Sequence, residues 1–421
     1  MKKLFAFLLA CSLLFLTACH QTTPNQTTSG NSQNQETPGG SQSQEKPSDS
    51  ELKDTIIYNG TNEYLDIPSR FLFESGGTTY YYSKADGKAY IYCFDPLCAH
   101  EGGCLAKPKD YHRIFNFEVR CTFFINNRFY TLAPYGQIYS CAFDGSDLKI
   151  EYGQDSYTVE EVNLYKYLWS PNYRVYEQYI YIPMNADENG KPHTLRFNTE
   201  TKEMEDLTEK MGNYIDPSFF YNGEIYGYDA NHLWAKADLN LNKVESIETI
   251  PISRHFYGSL FFTRAHNTEE GTPDRKSIGL QSYDMKTGEK KVFTFEMLGL
   301  EEYVPTIVLV DENYIYFYQY KQIEIGTTTT PKGEVHKVYK NNDGKLYRVK
   351  HDGTECICIY DEPDFEITGS EAVICGDRFV ISGRYAANRD GVVTRWDGGL
   401  KAGIIKEDGT IDKLENVEFV K

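Results

Sequence analysis

Seven times after about residue 54 the chain passes through the same short unit. A polar turn opens it, a strand rich in Tyr and Phe follows, a second strand ends in a turn centred on Asp or Asn, and a third strand closes it. Gly77-Thr78-Thr79-Tyr80 leads through Asp86-Gly87 to Tyr90-Ile91-Tyr92, and Asn127-Arg128-Phe129-Tyr130 leads through Ile138-Tyr139 to Asp144-Gly145. The others open at Tyr179-Ile180-Tyr181, Asn222-Gly223, Ser259-Leu260, Asn313-Tyr314 and Gly376-Asp377. The units recur at roughly 35–65 residues, the spacing of a four-stranded propeller blade of ~40–50 residues with loop insertions.

Local chemistry agrees with that reading. Asn-Gly and Gly-Asp supply the positive φ that a tight turn needs. Tyr-x-Tyr sets aromatic rings on one face of a strand with period two. The chain holds 34 Tyr and 24 Phe, residues suited to a half-buried pleated surface. Only short stretches, Thr208 to Met211 and Phe295 to Leu300, have a helical rhythm. The expected fold is all-β, a β-propeller of seven blades, with six or eight as alternatives because the first unit (residues 54–120) and the last can share a blade at ring closure. A closed ring leaves only short, protected strand edges. Two β-sandwich domains are the competing architecture; the regular unit and the lack of a dividing linker disfavour it.

The pair of Tyr-rich strands followed by Leu346-Tyr347, four residues and Asp352-Gly353-Thr354 resembles the TolB-like propeller repeats of Gram-positive surface lipoproteins. The resemblance extends over most of residues 54–421. It implies fold and address, and carries no catalytic residue.

The N-terminus reads as an export signal. Lys2 and Lys3 precede an apolar run from Leu4 to Phe15, broken only by Ser12. That run is shorter than the ~20 residues of a spanning helix. Leu16-Thr17-Ala18-Cys19 resembles the lipobox of bacterial lipoproteins, which implies cleavage before Cys19 and lipid attachment to its sulfur. From Gln21 to Ser50 there is no aliphatic or aromatic residue, so this stretch cannot repay the entropy of ordering and reads as a disordered tether. Its coil dimension is roughly 30 Å. The expected organisation is a signal peptide over 1–18, a lipid-anchored tether over 19–53 and the propeller over 54–421, on the outer side of the cell membrane.

The formal charge is −18. Loss of Lys2 and Lys3 with the signal leaves 41 basic against 61 acidic residues, a net of −20. That balance argues against nucleic acid as a partner and against charge-driven binding to anionic lipid.

Of ten cysteines, Cys11 leaves with the signal and Cys19 takes the lipid; Cys93, Cys98, Cys104, Cys121, Cys141, Cys356, Cys358 and Cys375 remain. Cys93, Cys98, His100 and Cys104 form the tightest cluster. Three readings stand open: disulfides, which suit an even count outside the cell; a Cys₃His zinc site, at a spacing unlike the standard ribbons and fingers; or free thiols. Cys356 or Cys358 could reach Cys375 if their Cα atoms came within ~4.4–6.8 Å. No other cofactor is expected.

The chain has no nucleophile elbow, HExxH, P-loop or dinucleotide-binding glycine motif. Asp144, Asp352 and Asp408 read as turn formers, and Asp238, Asn240 and Asn242 as a strand end and turn. His112, His193, His232, His255, His266, His336 and His351 are scattered. Trp169, Trp234 and Trp396 suit sugar stacking, although packing between blades accounts for aromatics better. Two long insertions, Lys321 to Asn342 and Tyr385 to Leu400, read as binding loops on a rigid scaffold. The functional expectation is a binding or scaffolding module for a cell-wall, glycan or protein partner. A polysaccharide hydrolase or lyase with its site in the channel, and an extracellular sensor subunit, are the alternatives. The enzyme class stays open.

Overall fold

The computed structural model describes residues 56–57 and, with shorter breaks, 64–91, 122–153 and 173–420. Seven antiparallel sheets follow one another along the chain. Blade one contains β1 (Tyr64–Ile67), β2 (Arg70–Ser75), β3 (Thr78–Ser83) and β4 (Ala89–Ile91). Blade two contains β5 (Thr122–Ile125), β6 (Arg128–Leu132), β7 (Ile138–Ala142) and β8 (Lys149–Tyr152). Blade three contains β9 (Arg174–Tyr176), β10 (Tyr179–Met184), β11 (His193–Asn198) and β12 (Met204–Asp206). Blade four contains β13 (Asp216–Tyr221), β14 (Glu224–Tyr228), β15 (Trp234–Asp238) and β16 (Val244–Ser246). Blade five contains β17 (Phe256–Tyr257), β18 (Leu260–His266), β19 (Ser277–Asp284) and β20 (Lys290–Thr294). Blade six contains β21 (Val304–Val310), β22 (Tyr314–Thr329), β23 (Val335–Lys350) and β24 (Ile357–Asp361). Blade seven contains β25 (Ala372–Cys375), β26 (Arg378–Arg389), β27 (Val392–Ile404) and β28 (Glu415–Asn416). The fold is a seven-bladed β-propeller.

Within each blade the strands are named A to D in chain order. The A strands of blades three and four are buried almost throughout, whereas β8, β16 and β28 at the D position are the most exposed. A therefore lies nearest the ring axis and D at the rim. The repeat legible in the sequence comprises B, C and D. Each A strand precedes the polar turn, as Phe219-Phe220-Tyr221 precedes Asn222-Gly223.

Cores form between blades rather than within them. Tyr130, Ile138, Val175, Ile180 and Phe197 join blades two and three; Tyr181, Phe220, Ile225 and Ala235 join three and four. Comparable clusters join four to five, five to six, six to seven and seven to one. Among the described residues, the ten largest side chains with essentially no exposure are all Tyr or Phe. This settles the role of the period-two aromatics, and Trp234 is likewise packed between blades four and five.

Closure uses the C-terminus. β29 (Phe419–Val420) lies parallel to β4 and makes blade one five-stranded. The Ala89 amide donates to the Glu418 carbonyl at 2.9 Å, and the rings of Tyr80 and Phe419 meet edge to face at 4.9 Å. First and last units thus share a blade without reducing the count below seven. Among the described residues, two short helices fall where the helical rhythm places them. Helix α1 (Leu207–Met211) is capped by the Asp206 carboxylate, which accepts from the Glu209 amide at 2.9 Å; α2 (Phe295–Leu298) is capped by the Thr294 hydroxyl.

Because the Phe197 ring is wholly enclosed between two blades, Phe197→Ala should cost about 3–5 kcal/mol, read from the midpoint of urea unfolding. A loss below about 1 kcal/mol would mean that blades two and three do not share this core.

Candidate binding face

Antiparallel strands divide the ring's connections between two faces. A–B and C–D turns lie on one; B–C and D–A connections lie on the other. The C–D turns are tight and closed by their own side chains. Asp352 Oδ1 accepts from the Thr354 amide at 2.9 Å, Asp408 Oδ1 from the Thr410 amide at 2.8 Å, and Asp238 Oδ1 from the Asn240 amide at 2.8 Å. These carboxylates are turn formers, as the sequence implies; Asp144 lies outside the described residues. The same face carries cationic latches. Arg196 stacks over the Tyr179 ring at 4.7 Å and donates to the Leu239 carbonyl of the next blade at 2.9 Å. Arg348 stacks over Tyr314 at 4.6 Å and reaches the Asp408 carbonyl of the next blade at 3.0 Å. Both arginines sit at the same place in the repeat, opposite Tyr181 and Tyr316.

The other face is where the blades differ. β22 pairs with β21 only as far as Tyr320, opposite Val304. Beyond it, residues 321–329 of β22 pair only with β23, from Lys321 opposite Asn342 to Thr329 opposite Val335. At ~3.3 Å per residue this arm stands roughly 30 Å off the blade. Blade seven does the same: β26 leaves β25 at Ile381, and residues 382–389 continue with β27 alone, a reach of roughly 26 Å. The two insertions read as loops are therefore β-hairpins, extensions of the B and C strands of adjacent blades. Asp343-Gly344 has the composition of a turn, yet it lies inside β23, and the Tyr318 ring over Gly344 leaves no room for a Cβ there. The first arm exposes Ile323 (40 %) and Val335 (67 %). Trp396 lies in β27, opposite Ala386.

At the base of this face, His193 at the start of β11 sits between two carboxylates. Its Nδ1 is 2.7 Å from Asp206 Oδ2 and its Nε2 is 3.4 Å from Asp187 Oδ2. Asp206 also caps α1, so one carboxylate fixes both a helix start and an imidazole. Backbone amides of Lys191 and Asn189 pull the Asp187 carboxyl down to about 2. Nothing in the sequence marks this trio, whose members are brought together by strand pairing. Cationic side chains nearby serve the ring: the buried Arg174 donates to the Ser218 carbonyl of the next blade at 2.5 Å, and the half-buried Arg264 to the Pro305 carbonyl at 2.9 Å. Burial of the His255 ring, with the Arg254 charge beside it, pushes its pKa down to about 3.

The Leu16–Cys19 signal, the tether and the cluster Cys93, Cys98, His100 and Cys104 lie outside the described residues. So do Cys121, His112 and Trp169. Cys356 and Cys358 are free thiols, and burial raises the Cys356 pKa to about 11. Cys356 packs on the core between blades five and six, whereas Cys375 belongs to that between seven and one, so the two do not pair. Among the described residues no group of three or more His, Cys, Asp or Glu is placed to hold a metal ion, and no helix is long and apolar enough to cross a membrane.

No protein-family model and no curated protein matches the chain. Solved structures that resemble it include TolB from Acinetobacter baumannii, at 12% identity over 84% of this chain and 80% of that one, TM-score 0.27. The β-propeller domain of the Trilobed protease from Pyrococcus furiosus matches at 12% identity over 85% and 84%, TM-score 0.35. A post-proline cleaving enzyme from Rickettsia typhi matches at 12% identity over 74% of this chain and 48% of that one, TM-score 0.38. Superpositions this loose carry nothing about activity; the fold follows from strand order alone.

The depressed groups set the response to acid. His255 is held neutral in the fold, so its contribution is present above the unfolded value near 6.5 and shrinks as pH falls toward about 3. Asp187, Asp352 and Asp408 are held ionised by hydrogen bonds; their contribution is present above the unfolded value near 3.8 and is lost as pH falls through the lower folded values. Thermal stability should therefore decline in two stages, below about pH 6.5 and again below about pH 4. Burial also lowers the His351 pKa, so His255→Phe should shrink the first stage without abolishing it and leave the second unchanged, checked by melting curves from pH 8 to pH 2.5. A single transition below pH 4 in the unaltered chain would contradict this assignment.

Proposed function

We propose that this chain is a non-enzymatic binding module, held outside the cell by a lipid on Cys19, whose partner docks on the face that carries the two arms. The observation that supports it is the pair of hairpins raised from adjacent blades on one face. Two-stranded ribbons are marginal in water on their own, and they bring open backbone edges and exposed Ile323 and Val335 to this face. Charge favours an anionic partner. Residues 321–342 hold four Lys against two Glu, and residues 382–400 three Arg against two Asp, in a chain whose net charge is −18. A cell-wall polymer, an acidic glycan or an acidic protein surface has the matching chemistry, with electrostatics setting rate and specificity.

The test is a binding screen of cell-wall polysaccharides and surface proteins against the chain without its signal, with product analysis alongside. Replacing residues 322–341 by Asn-Gly, a two-residue hairpin turn, should lower affinity at least tenfold while leaving the melting temperature of the ring unchanged. Binding should also weaken as salt rises. Equal binding by the shortened variant, or turnover of a bound polysaccharide, would overturn the reading.

A further inference from the structure

The described chain begins inside the ring, away from the blade it goes on to build. The Ile57 amide donates to the Phe220 carbonyl at 2.8 Å and the Phe220 amide returns the bond to the Ile57 carbonyl at 2.9 Å. The Ile56 amide donates to the Gly258 carbonyl, in the A–B turn of blade five, at 2.7 Å. Ile56 is 2 % exposed in the core between blades four and five, and Ile57 packs on that between three and four. Since β13 has β14 on one side only, Ile57 occupies the edge of β13 that faces the ring axis. Seven residues later Tyr64 starts the inner strand of blade one, three blades away around the ring.

We propose that Ile56 and Ile57 are the working end of a strap that brings the chain into the ring from the C–D face, opposite the arms, and fixes it there. Direction follows from pairing. β13 runs from Asp216 on the D–A side to Tyr221 at the A–B turn, and Ile57 pairs antiparallel to it near that turn. The chain at Ile56 therefore comes from the A–B and C–D side and heads into the channel. Two consequences follow. A pull on the segment before Ile56 is taken up at blade four and its contacts with blades three and five, where two packed isoleucines and three backbone hydrogen bonds resist it, instead of peeling β1 from blade one. The axial edge of β13 is covered by the chain's own backbone near the C–D mouth.

The unaltered full chain supplies the first test. Ile56 touches Gly258, the neighbouring Ser259 hydroxyl donates to Asp284 at 2.6 Å, and Lys286 lies two residues further on at an exposed turn. A short amine-reactive cross-linker should join Lys53, three residues before Ile56 in the sequence, to Lys286 or Lys243 on the C–D side, and not to the arm lysines Lys321, Lys337 or Lys340. Links from Lys53 to the arm, or none to Lys286 and Lys243 in a map that recovers both peptides, would overturn the proposal. Hydrogen exchange gives the second. In the variant with Ile56→Asp and Ile57→Asp, the Phe220 amide should exchange at least tenfold faster than in the unaltered chain, while that of Phe197, between blades two and three, stays as slow. Unchanged protection of Phe220 would equally overturn it. If the variant fails to fold, slow exchange of Phe220 in the unaltered chain still discriminates, because without the strap that amide faces the open channel; fast exchange there would reject the strap.

Discussion

Contact between neighbouring sheets is the interaction on which the rest of this molecule depends. A four-stranded sheet presents two faces and no interior of its own, and each blade solves this by pressing one face on the blade before and one on the blade after. Alternation in the strands serves that arrangement. In β10, Ile180 and Ile182 enter the core shared with blade two, while Tyr181 enters that shared with blade four. Such packing works only if the series closes, which is why a parallel two-residue strand, β29, matters out of proportion to its length. Polar groups obey the same logic. Arg174, Arg196, Arg264 and Arg348 each donate to a main-chain carbonyl of the following blade, and Arg196 also pairs with the Glu205 carboxylate of its own blade, so desolvated donors find partners both across and within blades.

The elements legible in the sequence are those whose chemistry is local. Asp-Gly and Asn-Gly turns, Tyr-x-Tyr strands and the two capped helices all announce themselves within a few residues, and the count of seven units follows from them. The A strands do not, because a short strand buried on every side, such as Arg174-Val175-Tyr176, carries no alternation. The arms read as loops because Thr327 to Thr330 and Gly398-Gly399 look like linker chemistry, although register, not composition, makes them strands. His193 stands 13 residues from Asp206 in sequence, and only the pairing of β11 with β12 brings them together. Ile56 and Ile57 follow a polar tract and recruit β13 through backbone atoms, which no side-chain pattern encodes.

Why the two faces diverged follows from the latches. The turn glycines Gly87, Gly353 and Gly409 adopt positive φ, and each lies directly under a side chain of the preceding blade: Arg378, Phe293 and Arg348 respectively. A Cβ at any of them would collide with that side chain, so the C–D turns of blades one, six and seven are contacted from outside, whereas Gly288 in that of blade five has open space around it. An insertion there would break the contact between blades that closes the ring. Lengthening a connection that nothing clamps is inexpensive, about 0.6 kcal/mol for each doubling. Growth therefore accumulates where nothing clamps the turn, and it accumulated as paired strands, which keep the backbone hydrogen bonds that an open loop of that length would have to satisfy with water. The clamped turns of one face thus leave the other as the place where strands lengthen without disturbing the contacts between blades.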